Sequence, residues 1–180
     1  YSKGMNHDSD REQAEIDMRN TFGPVFQDHG VDVVYSGHAH SYERSWYLHG
    51  HFGMADSFDT AAHAEPDRTG KPALGQGEEP YRQVSRASGA DDRVVYTVAG
   101  SAGKADTARP CRPGQRMMCS DESWLAHPAH RSFGGDEPGH RPHGLALKGS
   151  VVLDAGAKTL RSRFVDEHGA VLDEFTITRD

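Results

Sequence analysis

No stretch of this sequence stays apolar long enough to span a bilayer as a helix. Basic charge is also in short supply. Twenty Lys and Arg stand against 27 Asp and Glu, a formal net charge of −7; this argues against a general nucleic-acid binder, which carries a basic surface. Hydrophobic residues make up only 35% and the mean hydropathy is −0.75, so the core is lean. With 20 Gly and 9 Pro, much of the chain is expected to be loop. At 180 residues one domain is the expectation. No secretory leader is legible in these residues, which has little force because they open at Tyr1 rather than Met. The chain reads as the C-terminal part of something longer, with any targeting signal upstream.

Cysteine is nearly absent. Cys111 and Cys119, in "PCRPGQRMMCS", have a spacing that fits no zinc-binding pattern. They are either two free thiols or a small disulfide closing a surface loop. The second is favoured, and it would suit an extracytoplasmic protein.

Histidine is the abundant exception, at 12 residues. His49, His51, His63, His140, His143 and His168 lie in polar, Gly- or Pro-rich surroundings and read as surface residues. His38 and His40 differ. They sit in "SGHAHSYERS", residues 36–45, directly after the β-branched run "VDVVYS" at 31–36. That run, bounded by Gly30 and Gly37, predicts a strand buried on both faces. Ligand sites in layered α/β folds lie beyond the carboxyl ends of strands. Gly37 is expected to supply the sharp turn. Neutral imidazole is a good ligand for zinc, iron or manganese, and two imidazoles on a curved loop can serve one ion or diverge toward two.

Residues 8–29 predict the main helix, capped by Asp8 or Ser9. Ala14, Met18, Phe22, Val25 and Phe26 form its apolar stripe. Gly23–Pro24 is expected to interrupt it, with Pro24 opening a new turn, and Gly30 to stop it. Strands are expected at 41–48 and 93–100, then over "ALKGSVVLDA", "TLRSRFVDE" and "AVLDEFTIT", joined by hairpin turns. Residues 51–91 and 101–144 read as loop-rich excursions. No internal repeat stands out.

The stretch "GHAHSYERS" resembles the last metal-binding motif of the calcineurin-like metallophosphoesterases, in their purple acid phosphatase-like branch. The opening "YSKGMNHDSD" is similar to an upstream stretch of that branch, with Met5–Asn6 in place of one small residue. "HGHFG", "VVYTVAGSAGK", "HPAH" and the final 30 or so residues resemble later landmarks in the same order. The resemblance implies an α/β fold, the C-terminal half of a four-layer αββα sandwich, strand-rich with one main helix. Residues 1–180 would then be the C-terminal portion of one catalytic domain.

The implied activity is hydrolysis of small-molecule phosphate esters. Two divalent or mixed-valence ions (Fe, Zn or Mn) polarise the phosphoryl group and a hydroxide attacks phosphorus. On this resemblance His38 binds the second, more labile metal and His40 the first. His7 binds no metal; it hydrogen-bonds the phosphate or protonates the leaving alcohol. His127 falls at the rim of the substrate pocket. Glu43 and Arg44 are expected to hold the loop through a local ion pair. The family's first-half G-D-x-x-D and G-N-H motifs are missing from these residues, so the chain alone is expected to form an incomplete bimetal site. The alternative is a non-catalytic β-rich binding module with structural or adventitious metal binding.

Overall fold

A computed structural model of the chain describes residues 1–83, 93–115, 117–134 and 137–179. The parts of the expected excursions at 84–91, 116 and 135–136 lie outside them. The fold is mixed α/β: one main helix and two sheets, rich in strand.

The helix α1 spans Gln13–Asp28. It starts later than the sequence suggests, because Asp8 closes a separate turn by accepting the backbone N–H groups of Arg11 and Glu12. Glu12 is the N-cap, without a side-chain cap. The C-terminus follows expectation. Gly30 adopts φ +65, its N–H bonds the Gln27 carbonyl, and Val31 bonds Phe26, the paired pattern of a Schellman motif.

Gly23–Pro24 does not interrupt the helix; Pro24 lies inside it. Gly23 serves close packing instead, since a Cβ there would meet the Phe52 ring at 2.6 Å. Docking through Gly23 and the buried Arg19 sets the helix's orientation. Arg19 donates to the carbonyls of Ser9 and Phe52. As a result Met18, Phe22 and Val25 of the apolar stripe remain exposed.

Five strands form the first sheet, in order β1-β4-β2-β6-β5: β1 (Val33–Ser36), β2 (Tyr42–Arg44), β4 (Val95–Ala99), β5 (His140–Arg141) and β6 (Gly144–Leu145). β1 pairs parallel to β4, and β2 runs antiparallel to β4. β1 is therefore an edge strand, half-buried rather than enclosed on both faces, and its parallel neighbour comes from this chain. The second sheet, β3-β9-β8-β7, comprises β3 (Tyr81–Gln83), β7 (Gly149–Ala155), β8 (Thr159–Asp166) and β9 (Val171–Arg179). β7, β8 and β9 are the expected closing meander. β3, from inside the first loop-rich excursion, pairs parallel to β9. That excursion also holds a 3-10 turn, Ala55–Ser57, and a short helix α2, Thr60–His63. Among the described residues no helix is long and apolar enough to cross a membrane.

The core lies between the sheets. Tyr42 stacks on Phe164 at 4.1 Å and Tyr47 on Tyr81 at 4.6 Å. Val95, Phe175 and Ile177 complete one cluster. A polar link crosses the same space: fully buried Arg44 grips Asp173 through Nε (2.6 Å) and Nη2 (3.0 Å), and Asp173 also accepts from Tyr42 (2.9 Å) and Arg131 (2.7 Å). Burial pushes the Asp173 carboxyl up, but Arg44 and Arg131 hold it below the usual carboxylate range.

Candidate active site

The chain leaves β1 at Ser36 and turns at once. Ala39 donates its N–H to the Gly37 carbonyl, and the residue between them, His38, has φ +74. That is the geometry of a strained γ-turn. The left-handed residue is therefore His38, not Gly37 as expected. Backbone strain of this kind collects at functional sites. Glycine is needed instead at Gly100, beyond β4, where a Cβ would sit 2.0 Å from the Ala39 carbonyl oxygen.

His38 projects from this turn against His7, ring centroids 3.7 Å apart and planes inclined by 33°. His7 is carried by a tightly tied N-terminal loop. Lys3 bridges Asp8 (2.9 Å) and Asp10 (2.7 Å), and Ser2 and Ser9 exchange hydrogen bonds. Glu12 completes the group. Its carboxylate lies 3.1 and 3.3 Å from His7 Nδ1 and also accepts from the Asp8 N–H. One ligand atom from each of His7, Glu12 and His38 lies within 4.8 Å of the others. Beside them, burial pushes the Glu15 carboxyl up, with help from the Glu12 charge.

His40 points elsewhere. Its Nδ1 lies 3.4 Å from Oδ1 of buried Asp106, whose N–H bonds the His40 carbonyl at 2.9 Å. The fold thus joins His7 to His38 and gives His40 a separate carboxylate neighbour. Glu12 and Asp106 were not read from the sequence. Glu12 follows His7 by five residues, a spacing that matches no ligand motif by itself. Asp106 gives no local signal, because the contact spans 66 residues of chain.

Glu43 and Arg44 do not pair with each other. Neighbours on a strand face opposite sides, and the two buried charges go separate ways. Arg44 enters the space between the sheets. Glu43 accepts from Ser2 (2.7 Å), Ser41 (2.9 Å) and the Lys3 N–H (3.1 Å), and lies 3.2 Å from His130 Nδ1. Burial pushes this carboxyl up, but His130 and the hydrogen bonds bring it below the usual range. Burial likewise lowers His130, against the pull of Glu43. The bonds from Ser2 and Lys3 to Glu43 fix the N-terminal loop to β2.

His127 is not on a rim. It is fully buried, its Nδ1 accepts the Ala129 N–H, and burial depresses it well below the ordinary imidazole value. His51 is another correction: it is buried and stacked on Tyr1. The cysteines are bonded, Cys111 to Cys119, with Cα atoms 4.9 Å apart.

The class defined by fold and cluster is a mixed α/β chain with clustered imidazoles beyond the carboxyl end of a parallel strand. No family model matches the chain, and no curated protein does. Among solved structures it is similar to a purple acid phosphatase isolated from yellow lupin (Lupinus luteus) seeds, with 15% sequence identity and a TM-score of 0.46. The alignment covers 99% of this chain and 24% of that one, so the chain spans about a quarter of that phosphatase's length.

Proposed function

We propose that the chain carries part of the site of a metal-dependent phosphoesterase acting on small-molecule phosphate esters, with His38 and His40 as metal ligands and His7 as the group that acts on phosphate. One observation carries the reading: His7 and His38 stack beyond the end of β1, with the Glu12 carboxylate on His7 Nδ1.

The donors fit a metal ion. His38 has the Glu12 carboxylate within 4.8 Å and His40 has Asp106 at 3.4 Å; imidazole paired with carboxylate suits zinc, iron or manganese. Among the described residues no carboxylate joins His38 and His40 in one group. Two adjacent cations need anionic ligands between them, so these residues by themselves suit one ion, and turnover by the chain alone is expected to be slight. When bound, the metal supplies Lewis-acid polarisation of a phosphoryl oxygen.

The chain's own residues do the rest. Glu12 fixes the His7 tautomer with Nδ1–H toward the carboxylate, as orienting carboxylates do. Nε2 is then the atom that hydrogen-bonds a phosphate oxygen or passes a proton to the leaving alkoxide. The disulfide supports an extracytoplasmic location, since such bonds persist in oxidising compartments.

The test is metal content by elemental analysis after manganese or zinc loading, alongside hydrolysis of a chromogenic phosphomonoester with and without chelator. We expect bound metal and chelator-sensitive hydrolysis, both lost in His38→Ala and His40→Ala. Full metal retention in both variants would overturn the ligand assignment. Metal bound without any hydrolysis would favour a binding module.

A further inference from the structure

The helix α1 stands off the first sheet and leaves a cleft of about 370 Å3. This falls within the range of small-molecule sites, roughly 300–1,000 Å3. Its walls are mainly apolar, with Met18 and Phe26 on the helix side and Val34 and Val98 on the sheet side. Because a helix face opposes a sheet face, the space is a slot that favours a flat occupant.

Polar side chains interrupt this lining, Arg19, Ser36 and Thr97 among them. His38 lines the cleft at the carboxyl end of β1, so the slot is continuous with the His7–His38 stack. Glu15 and Tyr96 also line it. Glu15 Oε2 and the Tyr96 hydroxyl are buried and, among the described residues, have no hydrogen-bond partner. Buried polar atoms are normally paired. With Thr97 Oγ1, also unpaired on a lining residue, three such atoms specify a ligand with hydrogen-bonding groups at separate points on an apolar frame.

We propose that this cleft binds the alcohol portion of the phosphoester: a flat apolar diol, one oxygen esterified beside His38 and the free hydroxyl paired with Tyr96. This substrate class rests on the phosphoesterase reading, but the cleft can be tested without metal or phosphate.

The probes are 1,5-dihydroxynaphthalene and 1-naphthol, titrated in the presence of chelator into the 15N-labelled chain and followed by two-dimensional NMR. We expect shift changes confined to α1, β1 and β4. The diol should bind about five-fold more tightly than 1-naphthol, the value of one net hydrogen bond, and Tyr96→Phe should remove that difference. Ala14→Phe, at an exposed helix position on the cleft wall, should weaken both alcohols at least ten-fold, with far-UV circular dichroism confirming that the helix persists. Shifts elsewhere, no shifts at all, or a five-fold preference that survives Tyr96→Phe would overturn the proposal. Alcohol binding by a chain that hydrolyses no phosphoester would leave the cleft standing and remove the phosphoesterase reading. Hydrolysis without alcohol binding would do the reverse.

Discussion

Removing the Asp173 carboxylate should be among the most damaging single changes in the chain. Asp173 and Arg44 are both fully buried, and Asp173 is the only anion bonded to the Arg44 guanidinium among the described contacts. Asp173→Leu therefore leaves an uncompensated charge between the sheets and takes a partner from Tyr42. Breaking a buried pair from one side costs about 3–5 kcal/mol. With a urea m-value near 2 kcal/mol/M, the unfolding midpoint should fall by roughly 1.5–2.5 M. The double variant Arg44→Met/Asp173→Leu should recover much of the loss, because it removes both charges; Arg131, 15% exposed at its side chain, can turn to solvent. The pH dependence has a defined sign. Asp173 is depressed in the folded state, so its contribution is present above the unfolded value near 3.8. It is lost as pH falls from there through the folded value. Urea titrations of the wild type and three variants at neutral and acidic pH measure all of this. A midpoint for Asp173→Leu within 0.3 M of wild type at pH 7, or a double variant less stable than both singles, would refute the reasoning.

The other tests address the site and its supports. His7→Ala should keep its metal but slow hydrolysis of alkyl phosphates by about a hundred- to ten-thousand-fold, with a smaller loss for nitrophenyl phosphate, whose leaving group needs no proton; equal losses would rule out proton donation. Gly100→Ala forces a Cβ against the Ala39 carbonyl and should cost about 1–3 kcal/mol while weakening metal binding through the displaced His38–His40 turn; unchanged thermal unfolding would contradict the close approach. Replacing Cys111 and Cys119 by serine opens a loop of roughly nine residues and should cost about 2.6 kcal/mol on the chain-entropy estimate. Mass spectrometry of oxidised protein should find no free thiol, and two free thiols would contradict the bond.

Local pattern carries much of this protein. The closing meander was legible because alternating β-formers and Gly-containing turns specify strands and hairpins without reference to anything distant. The end of α1 was legible for the same reason: Gly30 is a local C-terminal signal. The Gly-bounded run before His38 located a strand followed by a histidine loop. Tertiary structure decided the rest. The exposure of the helix stripe depends on Gly23 meeting Phe52 and on Arg19 reaching Ser9 and Phe52, contacts that no helical periodicity encodes. β3 needed the backbone of β9 to become a strand, so its three residues carried no pattern of their own. Glu43 and Arg44 read as a local pair because they are adjacent; the pleat of β2 sends them to opposite faces, toward His130 and Asp173. His51 looked solvent-facing from its polar neighbours and the resemblance set His127 at a pocket rim, yet the fold buries both. The site divides in the same way. Sequence alone marked His7, His38 and His40 as residues able to do chemistry. Which carboxylate each meets, Glu12 or Asp106, and that His7 stacks on His38 while His40 turns away, follow only from how the N-terminal loop, β1 and the loop beyond β4 converge in space.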